Sequence, residues 1–160
     1  MVSSAMDGDP DLTPTLEEAA QRRSDLHDAL VGVEQAISRP AVGREVDWTE
    51  RVVLQLEHLA RAIDDHIEVT ERPDGLYEEI THRAPRVANK MARLRDEHPE
   101  LREGAAQAIA RLRDPGIGER WPLEEARDDL QRLLGKIVRH RQLGADLVWE
   151  AYNLDIGGLE

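Results

Sequence analysis

The chain has 160 residues, of which 33 are acidic and 21 basic, leaving a formal net charge of −12 that argues against a nucleic acid or an anionic membrane as its main partner. Cysteine and phenylalanine are absent, which excludes disulfides, thiolate chemistry and Cys-based metal sites and leaves the core to aliphatic residues. Because no apolar run has the roughly 20 residues of a membrane span, and no signal peptide is recognisable, we expect a soluble, cytoplasmic, all-α protein.

Residues 1–12 are small, polar and rich in turn formers, so we expect a disordered tail followed by one domain at residues 13–160. Predicted helix A begins near Thr13, with Pro14 in its first turn, or near Thr15, where a capping box with Glu18 is the alternative. Its apolar stripe repeats every three or four residues, at Leu26, Leu30, Val33 and Ile37. Pro40 ends helix A, because the residue before a proline avoids helical geometry.

Predicted helix B begins at Asp47 and ends before the breaker sequence at residues 73–75, and a short helical piece is expected at residues 76–82. Its stripe consists of Val52, Leu56, Leu59, Ile63, His66 and Thr70. The spacing of these positions places them on one face of a helix.

Predicted helix C runs from about Ala84 to Arg113, and Pro99 inside it predicts a kink or a local break. Predicted helix D begins near Trp121 and ends near Asn153. Four amphipathic helices joined by short connections are typical of an up-down-up-down four-helix bundle.

Histidines occupy apolar stripes of the predicted helices. His66, His98 and His140 each replace an aliphatic residue on helices B, C and D, and His27 lies beside Leu26 at the edge of the stripe of helix A. A single inward histidine is more often a core residue with one hydrogen bond. Four of them favour a shared metal ion, since burying several imidazoles costs free energy unless each finds a partner. His58 and His82 are expected at the surface.

Carboxylates at the usual spacing from these histidines are missing. A glutamate four residues after a histidine would share its helix face, but Thr70 follows His66 and Gly144 follows His140 at this spacing. The nearest substitutes are Glu71, Asp146 and, on helix A, Glu34. Glu71 is about 140° away from His66 on a regular helix, so we expect it to reach the site only through a local irregularity. For Asp146 and Glu34 we favour a solvated helix face.

With one histidine on each helix, the chain resembles the hemerythrin-like, or HHE cation-binding, family. The resemblance covers roughly residues 22–154 and depends on the segments around the four histidines, which are DLHDAL, HIEVTERPDGLY, LRDEHPELR and HRQLGADLVW. It implies a four-helix bundle that holds non-haem iron, one or two ions, and binds or senses oxygen, nitric oxide or oxidants. The metal ligands it implies are His27, His66, Glu71, His98 and His140.

The departure from the family pattern lies at Thr70 and Gly144, where the resemblance implies bridging carboxylates. Their loss predicts a site that holds one metal ion, two weakly bound ions, or none. Two other functions stay open at this point: a metal-dependent oxidase or oxygenase that uses the same histidines, and a metal-free bundle that acts as an interaction or regulatory module. The sequence contains no phosphate loop, dinucleotide fingerprint or nucleophile elbow, and it leaves the oligomeric state open.

Overall fold

The computed structural model describes residues 13–154, so the predicted tail at residues 1–12 lies outside the described residues. Within this part the chain is helical and has no strand, as predicted for an all-α protein. The helices are α1 (Pro14–Ile37), α2 (Glu45–Glu71), α3 (Leu76–Arg83), α4 (Ala88–Arg113) and α5 (Leu123–Trp149). A 3₁₀ turn at Pro85–Val87 precedes α4, and a π-helical turn at Glu150–Leu154 follows α5.

Helix α1 begins at a side-chain cap. The Thr13 hydroxyl accepts a hydrogen bond from the Leu16 amide at 3.0 Å, so Thr13 caps α1 and the alternative cap at Thr15 is wrong. Helix α2 begins at Glu45, two residues before the predicted start. Helix α4 continues through Pro99 to Arg113, so the proline does not end it.

The four long helices form the predicted bundle. Each packs against two neighbours, and the order around the bundle is α1, α2, α4, α5 and back to α1. The short helix α3 lies against one end of this ring, where it contacts α1, α2 and α4. None of the helices described between residues 13 and 154 is long and apolar enough to cross a bilayer.

Buried apolar residues fall into two separate clusters along the bundle axis. The first cluster includes Leu26, Leu30, Val33, Trp48, Leu56, Leu59, Ile63, Leu101, Ala105, Trp121, Leu130, Leu134 and Ile137. The second cluster includes Leu16, Ala19, Val69, Leu76, Tyr77, Ile80, Val87, Met91, Leu94, Leu147, Ala151 and Tyr152. On α1, α4 and α5 the two clusters are separated by about two to three turns, and His98 and His140 lie in this gap; on α2 the clusters meet between Ile67 and Val69, and His66 and Thr70 flank that boundary.

The turn between α2 and α3 is tight. Asp74 adopts a positive φ of 61°, and the Gly75 amide donates to the Arg72 carbonyl at 2.8 Å. A Cβ atom at Gly75 would lie 2.7 Å from the Val69 carbonyl oxygen and 2.8 Å from that of Arg72. These backbone atoms cannot move without disturbing the end of α2, so glycine is required by close approach.

Two glycine substitutions should therefore change stability in opposite directions. Gly135→Ala in α5 adds a Cβ atom that meets nothing within 4 Å, and we expect it to raise the free energy of unfolding by about 1 kcal/mol through helix propensity. Gly75→Ala should lower it by about 1–3 kcal/mol through overpacking. Chemical denaturation measures both, and a stabilised Gly75→Ala variant would contradict the close approach.

Candidate metal centre

Three histidines from three helices meet in the gap between the apolar clusters. His66 of α2, His98 of α4 and His140 of α5 are 8%, 1% and 1% exposed. One ring nitrogen of each lies within 4.8 Å of the corresponding nitrogens of the other two, and their ring centroids are 5.0–5.3 Å apart. These three members of the predicted ligand set therefore come together at one centre. We call this set the histidine layer.

The prediction that helix A offers an inward or near-inward imidazole is wrong. His27 is exposed, because it follows Leu26 by one residue and is therefore rotated about 100° away from the buried stripe of α1. It also lies beyond the level of the histidine layer, since Leu26 already belongs to the first apolar cluster. At the level of the layer, between Ala19 and Leu26, α1 places Arg23, which is half-buried.

Glu71 reaches the histidine layer, but through a different histidine from the one predicted. Its carboxylate accepts a short hydrogen bond from Nδ1 of His98 on α4. The regular end of α2 turns Glu71 away from His66 and towards α4, so no helix irregularity is required. Glu71 lies outside the set of three converging side chains, and it contacts the Nδ1 atom of His98, which faces away from the centre of that set.

Glu97 contacts the histidine layer and was not singled out by the sequence analysis. Its carboxylate accepts a hydrogen bond from Nδ1 of His140 on α5 at 2.8 Å. Glu97 directly precedes His98 in sequence and so faces a different side of α4. The contact depends on the packing register of α4 against α5, for which the sequence of one helix holds no signal.

These carboxylates determine which ring nitrogen carries the proton in two of the imidazoles. A carboxylate only accepts, so Nδ1 of His98 and Nδ1 of His140 carry the protons and their Nε2 atoms present lone pairs. Tyr77 of α3 lies with its hydroxyl 3.3 Å from Nε2 of His98 and donates to it. Burial raises the pKa of Tyr77, which keeps this proton in place.

His66 is the one histidine of the layer with an unsatisfied nitrogen. Its Nε2 lies 3.2 Å from Nε2 of His140 and donates to it, since the proton of His140 is on Nδ1. Nδ1 of His66 is buried and has no hydrogen-bond partner. A buried unpaired polar atom costs about 1–3 kcal/mol, so this nitrogen is a place where the protein lacks a partner group.

A small cavity adjoins the histidine layer at His66 and His140. Its volume is about 20 Å³, enough for a water molecule or a very small ion. It is lined by Ala19, Arg23, His66, Thr70, Leu76, Tyr77, His140, Arg141, Gly144, Leu147 and Val148. Burial lowers the pKa of the Arg23 guanidinium, and the nearby charge of Arg141 lowers it further.

The other predicted carboxylates and histidines lie away from the layer. Glu34 and Asp146 are exposed, as expected for a solvated helix face, and so are His58 and His82. At the expected carboxylate positions, the buried hydroxyl of Thr70 donates to the helix carbonyls of His66 and Ile67. Gly144 lines the cavity and has no side chain to offer.

Burial of His66 makes the stability of the metal-free protein depend on pH. Burial, with the nearby His140 and His98, lowers the pKa of His66 to about 3. The unfolded chain binds this proton near pH 6.5, so the unfolded state gains a proton that the folded state does not. The free energy of unfolding should fall as the pH drops from about 6.5 to 3, by up to about 1.4 kcal/mol per pH unit.

Chemical denaturation of the metal-free protein across this pH range measures the slope. His66→Gln should show a shallower slope than the wild type, whereas His58→Gln, which alters an exposed histidine of the same helix, should keep the slope. Equal slopes in wild type and His66→Gln would contradict the burial of a neutral His66.

Comparison with known proteins leaves the resemblance without independent support. No family model, curated protein or solved structure matches the chain. Membership of the hemerythrin-like family therefore stays a prediction from the sequence.

Proposed function

We propose that the protein binds one transition-metal ion through His66, His98 and His140 and binds or senses a small oxidant, such as oxygen or nitric oxide, at that ion. The single observation that carries the proposal is the convergence of three buried imidazoles from three helices within 4.8 Å. Iron is the metal that the resemblance implies, and neutral imidazole is a favoured ligand of iron, zinc and copper.

The surroundings of the histidines fit such an ion, which would take the place of the Tyr77 hydroxyl at Nε2 of His98. Metal-bound histidines usually donate their other ring N–H to a carboxylate, which orients the ring and makes the ligand nitrogen more basic. Glu71 and Glu97 have this relation to His98 and His140. Three protein ligands leave positions open on the metal, and these supply the site for an exogenous ligand when the ion is bound.

The donor set fits one ion better than two. Two irons in a bundle are usually bridged by carboxylates that project inward beside the histidines. Here Thr70 turns its hydroxyl onto its own helix, and Gly144 has no side chain. Glu71 and Glu97 accept hydrogen bonds from Nδ1 of His98 and His140 and therefore do not project into the centre as bridging ligands. We expect one ion per chain.

A second candidate is a metal-free bundle in which the histidine layer is a polar core network. The observation that favours it is that Glu71, Glu97 and Tyr77 already give hydrogen bonds to His98 and His140. Within the described residues, Nδ1 of His66 is the ring nitrogen that this network leaves without a partner.

Metal content separates these candidates. Wild-type protein should retain about one iron ion per chain, measured by elemental analysis together with the absorption spectrum of freshly purified protein. His98→Gln should lose most of this metal, because only two imidazoles remain to converge. His27→Gln should retain it, because His27 is exposed and lies away from the layer.

Circular dichroism checks that each variant is folded. Metal-free wild-type protein with full helicity would support the second candidate. Equal loss of metal in His27→Gln and His98→Gln would show that the sequence-based ligand set, which includes His27, describes the site better than the three-histidine set.

The carboxylates behind the histidines should tune metal affinity without binding the metal. Glu97→Gln removes the negative charge that accepts from Nδ1 of His140, and we expect metal affinity to fall about 10–100-fold. Glu100→Gln changes an exposed glutamate one turn along on α4 and should leave affinity unchanged. Competition with a chelator measures both affinities, and equal values would remove Glu97 from the site.

A further inference from the structure

The Nδ1 atoms, which are the outer nitrogens of the histidine layer, have hydrogen-bond acceptors that follow a regular order around the bundle. Nδ1 of His98 on α4 donates to Glu71 of α2, the preceding helix in the ring. Nδ1 of His140 on α5 donates to Glu97 of α4, again the preceding helix. Each acceptor is a carboxylate supplied by the neighbour on the same side.

The third position of this pattern has a cation in place of an acceptor. The helix that precedes α2 in the ring is α1, and its residue at the level of the layer is Arg23. A guanidinium only donates, so it cannot accept from the outer nitrogen of His66. In the metal-free protein this nitrogen carries the lone pair and has no partner; with a metal ion on Nε2 it would carry the proton, and α1 offers no acceptor for it.

A second arginine lies beside the first. Nε of Arg141 on α5 donates to the backbone carbonyl of Arg23 at 3.0 Å, and both residues line the cavity. Both are half-buried. Within residues 13–154, neither guanidinium has a carboxylate at ion-pair distance, whereas Arg22, directly before Arg23, pairs with Asp25 at 3.2 Å.

The cavity therefore collects two cations without a carboxylate partner and an imidazole whose outer nitrogen has no partner, all lining a volume of about 20 Å³. Two like charges held together in a half-buried place are unfavourable unless a counter-charge joins them. A monovalent carboxylate of minimal size would neutralise one charge, accept from the guanidinium groups and, when a metal ion holds Nε2 of His66, accept from Nδ1 of that ring.

We propose that this cavity binds a small monovalent carboxylate-like anion, with formate as the size limit, which takes at His66 the place that Glu71 and Glu97 take at the other two histidines. The inference rests on the metal function proposed above. A metal ion on Nε2 of His66 leaves the proton of this ring on Nδ1, where it donates to the anion.

The anion and the metal should therefore strengthen each other's binding. Linkage requires that an anion which favours the metal-bound state of His66 raises metal affinity by the same factor as the metal raises anion affinity. For wild-type protein we expect Co²⁺, used as a visible-absorbing probe ion, to bind about tenfold more tightly in formate than in sulfate of equal ionic strength. Acetate, with one more methyl group, should have a smaller effect because the cavity is small.

The arginine variants test where the anion binds. Arg23→Gln should abolish the formate effect and keep or raise Co²⁺ affinity in sulfate, since it removes a repelling charge. Arg141→Gln should also abolish the formate effect, and it provides a second test if Arg23→Gln does not fold. Arg139→Gln is the matched control, because it removes the same charge from an exposed position next to His140 that does not line the cavity.

Three outcomes decide the matter. A formate effect in wild type and Arg139→Gln that is lost in the cavity variants supports the anion site. Co²⁺ binding without a formate effect, or with one that survives in Arg23→Gln and Arg141→Gln, overturns the anion site and leaves the metal function standing. Failure of folded wild-type protein to bind Co²⁺ in either salt overturns both proposals.

Discussion

Burying three imidazoles in the middle of an aliphatic bundle is the constraint on which the surrounding structure depends. Each ring has two nitrogens to satisfy, and no single helix can supply all the partners because they must come from several directions. The bundle meets this demand with groups from neighbouring helices and with Tyr77 from the short helix α3. These contacts join α2, α3, α4 and α5 at one level of the bundle.

Sequence periodicity predicted the elements and three of the histidines because these features are local. His66, His98 and His140 occupy the same stripes as the leucines around them, so a period of about 3.6 residues was enough to identify them. The same reasoning failed for His27, where an offset of one residue from Leu26 decides between the core and the solvent. A residue at the edge of a stripe cannot be assigned from the stripe alone.

Interhelical contacts were beyond the reach of sequence reasoning. Glu71 was expected to reach the site only through an irregular turn of helix B, yet its regular position on α2 directs it to His98 on another helix. Glu97 and Arg23 gave no signal, since a charged residue at a stripe edge usually faces solvent. Their roles depend on the axial offset between packed helices, which the helical period does not determine.

Spacing along the chain links the tight turn after α2 to the chemistry of His98. Glu71 ends α2 and Tyr77 lies in the first turn of α3, and these two residues hold the two nitrogens of the same imidazole. The turn between them thus sets the distance between Glu71 and Tyr77, and the close backbone contacts of Gly75 determine the shape of this turn. An insertion or deletion there would disturb the hydrogen bonds to His98 while leaving every histidine and carboxylate in the sequence. The length of this loop is therefore a property of the site.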